Sequence, residues 1–247
     1  MFNLLKIEFY KLRKSKLFYF FVFLSLLQAL VIYSFSESLK VDGGKDALMY
    51  MLFMQSSLAS NIIGGVFAAD FIVTEFTSGY IKNLISYGHK RSHIFLSKSI
   101  AYYVSILAFN FSPPLVVFLI ATIKRGYGEV FTFRAFLSLL GMLLFTAIAQ
   151  GAIASINVLI AFVTKNMNLT IGIVVGIDFA YRIISFMSIR NSSIRWVFQK
   201  LAISQPYVIA AKESGVYEVL QILAISLLTI ALCIVISNHI FKKADIK

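Results

Sequence analysis

One cysteine, three prolines and eleven acidic residues are spread over 247 positions. A lone Cys233 excludes an internal disulfide framework, a CxxC redox motif and a cysteine-built metal site. Two of the prolines are the adjacent Pro113 and Pro114, and the third is Pro206, so proline punctuates the chain at only two places. No G-x-x-x-x-G-K-[ST] occurs, which excludes a P-loop, and there is no G-x-S-x-G or H-E-x-x-H. His89 and His93 stand four apart with Lys90 and Arg91 between them and no evident third ligand. A metal site is therefore not expected. With no acid–base constellation in sight, the chain is expected to have no catalytic residues, no bound cofactor and no enzyme activity of its own.

Charge is scarce and one-sided. Charged residues make up 14%, where a soluble domain averages about a quarter, and the net charge is +12. In a soluble domain that excess would point to nucleic acid. Here the basic residues gather at the ends of apolar runs, as anionic headgroups and the positive-inside rule select, so no nucleic-acid partner is expected. What is abundant is apolar surface: 59% of residues, with 24 phenylalanines, arranged in runs of 18 or more. The expected fold is an all-α integral membrane protein formed as a single transmembrane domain over 1–247. Six spans are expected near 17–35, 47–69, 99–123, 135–163, 169–187 and 216–241.

Residues 1–16 carry five basic residues and one acid, with Phe2, Leu5, Phe9 and Leu12 on one helical stripe. Such a helix is expected to lie in the headgroup plane, apolar side down. The long first span has no A-x-A-like site after it, which reads as an uncleaved span. The basic first segment favours the cytoplasm, so both termini are expected there, and membrane lipids are expected partners.

Within the spans, Ser57, Asn61, Gly64 and Ala68 share one stripe of the second, and Ser60, Gly64 and Ala68 recur at fours. Small residues at that spacing suit close helix packing, and weakly polar ones suit a substrate path. Pro113-Pro114 predict a kink or local break in the third span. Thr146, Gln150 and Asn157 lie on one side of the fourth, as interhelical ties or as part of a polar pathway with Asn61. The fifth carries Asp178 and Arg182, whose i, i+4 spacing lets them neutralise each other, either as a gate or as a pair that fixes register. Gly172 and Gly176 form a GxxxG that predicts a tight helix contact. In the external segment 188–215, Ile194, Val197, Phe198 and Leu201 make an apolar stripe beside Trp196, which predicts an amphipathic helix before the sixth span. The two halves of the chain show no matching broken helices, which speaks against an inverted-repeat carrier.

The least membrane-like stretch is 70–98, DFIVTEFTSGYIKNLISYGHKRSHIFLSK. Gly79 interrupts the helix leaving the second span and Gly88 can end the short helix Tyr80–Tyr87. Ile81, Leu84 and Ile85 fall on one side of it; Lys82, Asn83 and Ser86 fall largely on the other. On the residues alone, this is equally a handle for a soluble partner and a helix resting on lipid.

In this loop, through Glu75, Gly79, Lys82, Asn83, Leu84, Arg91 and Lys98, the sequence resembles the permease subunits of the ABC-2 family of ABC exporters. The opening L-L-K-I-E-F-Y-K-L-R-K-S-K is similar to permeases of Gram-positive bacteria, including bacitracin-resistance and lantibiotic-immunity types. Tyr80 stands where the family often has Thr, and Gly88 where Pro is frequent. The resemblance implies a bacterial cell-membrane permease that exports an amphipathic peptide, an antibiotic or another lipophilic molecule. It implies two copies of a separate ATPase subunit, which bind the ATP, and pairing as a homodimer or with a second permease. The 70–98 loop would supply the coupling helix, with Glu75, Gly79, Tyr80, Ile81, Lys82, Asn83, Leu84 and Arg91 as the coupling residues. A competing expectation is an ATP-independent carrier or an immunity protein that binds a toxin directly.

Overall fold

The computed structural model describes residues 1–35, 43–57, 60–206, 208 and 216–244, and among them no strand occurs. A bilayer leaves no water to satisfy backbone groups, so an apolar chain of this kind folds into helices that satisfy their own. In chain order these are α1 (Phe2–Lys14), α2 (Lys16–Phe35), α3 (Gly44–Ser57), α4 (Ser60–Ala68), a π-helical turn (Ala69–Val73) and α5 (Thr74–Thr77). Then come α6 (Tyr80–Ser86), α7 (Arg91–Arg125), α8 (Phe133–Thr164), α9 (Met167–Arg190), α10 (Ser192–Phe198), a 3-10 turn (Ala202–Ser204) and α11 (Val216–Lys243).

Five of these helices, α2, α7, α8, α9 and α11, are long and apolar enough to cross a membrane. A sixth candidate is a bent unit, Asn61–Thr77 with Tyr80–Ser86, angled by 58° at Ser78-Gly79. The long helices turn bulky apolar side chains outward, among them Phe179, Ile183 and Phe186 on α9 and Leu227, Leu228 and Val235 on α11. Around a multi-pass membrane protein that is the surface lipid tails cover.

The helix leaving the second expected span continues past 69, through the π-turn to Thr77, and α7 begins at Arg91. The stretch 70–98 is thus mostly helical, and α6 with its two flanking turns is all that separates the two long elements. α7 is the central post, with α1, α2, α3 and α8 packed on it. At the far end from α1, the start of α3 is pinned to the α7–α8 connection. Gly44 N–H donates to Gly126 O and Lys45 N–H to Tyr127 O, both at 3.0 Å, and Lys45 pairs with Glu129 at 3.0 Å.

Two expectations change. α7 runs through Pro113 and Pro114 as one continuous helix with both rings buried, so the local break does not form. Gly172 and Gly176 lie on the outward side of α9, where an added Cβ meets nothing within 4 Å, so the GxxxG makes no tight contact in this chain. The close approach of α9 falls instead on Gly65 of α4, whose Cβ would lie 2.8 Å from the Cβ of Val174. That neighbour is β-branched and buried, so it cannot swing away. Gly65→Ala is therefore expected to destabilise the fold by about 1–3 kcal/mol, and Val174→Gly in the same chain to restore most of it. Unfolding by sodium dodecyl sulfate, followed by circular dichroism, decides this; a Gly65→Ala protein as stable as the parent would show that the two helices do not meet there.

The side chains of Ser57 and Ser60, two positions of the expected small-residue stripe, lie outside the described residues, as do 36–42 and, within the segment 188–215 expected to be external, 207 and 209–215. Of the rest of that stripe, Gly64 accepts a 2.8 Å bond at its carbonyl from the Tyr102 hydroxyl, which ties α4 to α7.

Candidate functional site

The helix α1 has only one acid, Glu8, and it is spaced four residues from Leu4 and from Leu12. Those three residues form the buried face of α1, one position round from the expected stripe of Phe2, Leu5, Phe9 and Leu12. Phe2 is 70% exposed. The helix has turned because Glu8 has partners inside the protein. Its carboxylate is 3.2 Å from Nζ of Lys98 at the start of α7 and 3.4 Å from Nζ of Lys11 one turn on. Each of those lysines also reaches Glu75 on α5, Lys11 at 2.8 Å and Lys98 at 2.6 Å. The last is a contact of charge only, since Glu75 Oε2 has no aligned hydrogen-bond donor.

Four charges of alternating sign thus close a ring: Glu8, Lys11, Glu75, Lys98. The side chains of Lys98 and Glu8 are 0% and 1% exposed. A buried charge is costly to desolvate, and only neighbours of opposite sign at contact distance offset that cost. Neutrality of the ring is therefore what permits burial. For Lys11, desolvation is the largest single influence and lowers its pKa. The hydrogen bond to Glu75 and the charges of Glu8 and Glu75 together outweigh it, so its pKa lies above the usual lysine value.

Lys11 also carries the ring to α6, for its ammonium lies 3.7 Å from the centre of the Tyr80 ring. Gly79, at φ 74°, supplies the left-handed turn that separates α5 from α6, and Gly88, at φ 83°, does the same beyond it. A side chain at either position would be strained by the backbone alone, since there is open space around both. Between them Ile81 (0% exposed) and Leu84 (6%) face the bundle. Lys82, Asn83 and Ser86 are exposed, as are Tyr87, Gly88, His89 and Lys90. No acidic residue occurs from 76 to 128, so this exposed ridge is polar and purely basic.

Beneath α6 the ends of four elements meet in a cluster of phenylalanines. Phe162 of α8 lies 5.5 Å from Phe76, 5.0 Å from Phe95 and 5.2 Å from Phe241, centre to centre, all three close to edge-to-face. Arg91 closes the same end. Its Nη1 donates towards the carbonyls of Phe241 (3.2 Å), Lys242 (2.9 Å) and Ala244 (2.6 Å) at the C-terminus of α11. A cation at that position satisfies free carbonyls and opposes the negative end of the helix dipole.

All eight residues singled out in the loop, Glu75, Gly79, Tyr80, Ile81, Lys82, Asn83, Leu84 and Arg91, therefore gather at one end of the bundle, but they do different work. Glu75 and Arg91 tie helices together, Ile81 and Leu84 seat α6, and only Lys82 and Asn83 face outward. Sequence reasoning passed over Glu8 and Lys11. The available signal was a solitary acid on a leucine stripe of an otherwise basic helix.

The intramembrane residues lie elsewhere. Asp178 and Arg182 do pair, Nε to Oδ2 at 2.7 Å, with the Asp178 side chain 4% and the Arg182 side chain 40% exposed. One residue before Arg182, Tyr181 stacks on Phe198 of α10 at 5.4 Å. Asn61 accepts from Asn157 at 3.3 Å, and Gln150 accepts from Asn110 at 3.1 Å. These amides are buried and bonded across helices α4–α8 and α7–α8. Among the described residues, no group of three or more His, Cys, Asp or Glu could hold a metal ion.

Residues 4–185 match the family model described as ABC-2 family transporter protein. No curated protein matches the chain. The matched stretch takes in the charged ring, α6 and the helices through Asp178–Arg182, and leaves α10 and α11 outside it.

Proposed function

The chain belongs to the ABC-2 family of transporters, a family of membrane proteins whose permeases typically work with an ATPase partner, and on that premise we propose that it is the permease subunit of an ATP-driven exporter. The cargo is an amphipathic peptide, an antibiotic or another lipophilic molecule. Two copies of a separate ATPase subunit bind and hydrolyse the ATP, and the permease acts as a pair of this chain or with a second permease. Segments 1–16 and 78–90 and the end of α11 face the cytoplasm of a bacterial cell. The basic residues Lys6, Arg13, Lys14, Lys82, Lys90, Lys242 and Lys243 at this one end support that orientation.

One observation carries the reading: α6 is seated on the bundle by Ile81 and Leu84, delimited by two left-handed glycines, and shows a polar, basic ridge outward. Seven residues make too short a helix to hold itself in water. Held against the phenylalanine cluster and linked through Lys11 to the charged ring, it is rigid enough to pass a push from an ATPase to the helices on either side. The chain itself has no P-loop, so the energy must enter through such a contact.

Replacing Gly79–Tyr87 by a flexible Gly-Ser linker is expected to leave the protein inserted and to abolish stimulation of the copurified ATPase by at least ten-fold. A linker variant that still stimulates its ATPase, or a native protein that purifies from its own membranes without any ATPase, would end this reading.

A further inference from the structure

With Glu8 turned inward, the outward face of α1 carries charge of one sign only. Phe2, Lys6, Ile7, Tyr10, Arg13 and Lys14 are all exposed on it, the two aromatics at 70% and 64%. Cations and rings are interleaved: the Lys6 ammonium lies 5.0 Å from the centre of the Phe2 ring, and that of Lys14 lies 6.0 Å from Tyr10. Among the described residues none of Lys6, Arg13 and Lys14 has a carboxylate partner. Only Ser15, in extended conformation, separates α1 from α2, and α2 is itself a membrane-crossing candidate beginning at Lys16. The helix is thus fixed at the level where that span meets the headgroups, and its roll is fixed by the Glu8–Lys98 pair and by Leu4 and Leu12.

We propose that this outward face of α1 is a binding site for anionic phospholipid headgroups. The lysines and the arginine meet the phosphodiester charge, while Phe2, Ile7 and Tyr10 enter the boundary between headgroups and chains. This turns the helix away from the orientation expected from the sequence: Phe9 and Leu12 of the apolar stripe go to the protein, and the basic arc with Phe2 and Tyr10 goes to lipid. A soluble acidic protein would answer the charge but would leave Phe2 and Tyr10 at the apolar boundary unused. The inference rests on the membrane placement of α2 and needs no ATPase, so its failure and that of the exporter reading are separable.

The test uses the full chain reconstituted in phosphatidylcholine bilayers containing phosphatidylglycerol, with spin-labelled lipid of either headgroup. The native protein is expected to hold labelled phosphatidylglycerol in preference to phosphatidylcholine. A Lys6→Gln, Arg13→Gln, Lys14→Gln variant is expected to lose that preference, by roughly five-fold for each cation at low salt, and Lys242→Gln with Lys243→Gln to keep it. As a second readout that leaves the cations in place, fluorescence of a Tyr10→Trp protein is expected to be quenched more by brominated phosphatidylglycerol than by brominated phosphatidylcholine. The proposal is overturned if the triple variant keeps the native preference, if the Lys242 and Lys243 variant loses as much, or if the two brominated lipids quench alike.

Discussion

Lys98→Met is expected to be the most damaging single substitution among the charged residues, lowering stability by about 3–5 kcal/mol. The methionine fills much of the same volume, so the loss comes from charge and not from a cavity. Lys98 is completely buried, 3.2 Å from Glu8 and 2.6 Å from Glu75. Without it two carboxylates share Lys11 alone, and one of them, Glu8, stays out of water. The partner substitution makes the argument specific. Glu8→Gln together with Lys98→Met leaves Lys11 and Glu75 as a neutral pair, so the double variant is expected to recover most of what Lys98→Met loses. Denaturation by sodium dodecyl sulfate, read by circular dichroism, measures all four members of that cycle. If the double variant loses the sum of the two single losses, the residues do not act as a charge-balanced unit. The same cycle has a functional reading, since Lys11 touches both Glu75 and the Tyr80 ring. A ring that loses its buried cation loosens the seat of α6, and any ATPase coupling should fall with it.

Phe162→Ala is expected to cost a similar amount, about 3–5 kcal/mol, for the opposite reason. Phe162 is fully buried and makes edge-to-face contacts with Phe76, Phe95 and Phe241. These rings come from α5, α7, α8 and α11, so the cavity opens where four elements meet and no single one can collapse to fill it. Phe186→Ala is the comparison. That side chain is 65% exposed on α9, where lipid replaces the lost contacts, and its truncation should be nearly neutral. Unfolding of the two variants under the same conditions gives the difference; equal stabilities would mean that the cluster is not a packed core. Phe162→Leu should fall between, as the aliphatic chain refills part of the space.

Much of this fold was legible in the sequence, for a physical reason. A bilayer admits few backbone solutions, so runs of 18 or more apolar residues declare helices without reference to one another. Period and punctuation suffice for local elements too. Gly79 and Gly88 mark the limits of α6, and the spacing of Ile81 and Leu84 marks its inner side. The errors have one cause in common. The GxxxG of α9 and the stripe of α1 are each patterns of a single helix, which carry no information about its neighbours. Gly172 and Gly176 have the right spacing for a contact, but spacing does not say that a partner is there, and the packed position is Gly65 against Val174.

The sequence by itself determined that this chain is helical and membrane-bound, that it has no ATP site of the P-loop kind, and that a short helix between two glycines, polar on one side, interrupts its apolar runs. Those properties are fixed by composition, by periods of a few residues and by the absence of a motif. Only the tertiary structure decided which face of α1 is buried. Glu8 lies 90 residues from Lys98 and 67 from Glu75 in the chain, and no local period connects charges so far apart. What brings them together is the need of a buried ion for a counter-ion, and that need can be met only after the helices have packed.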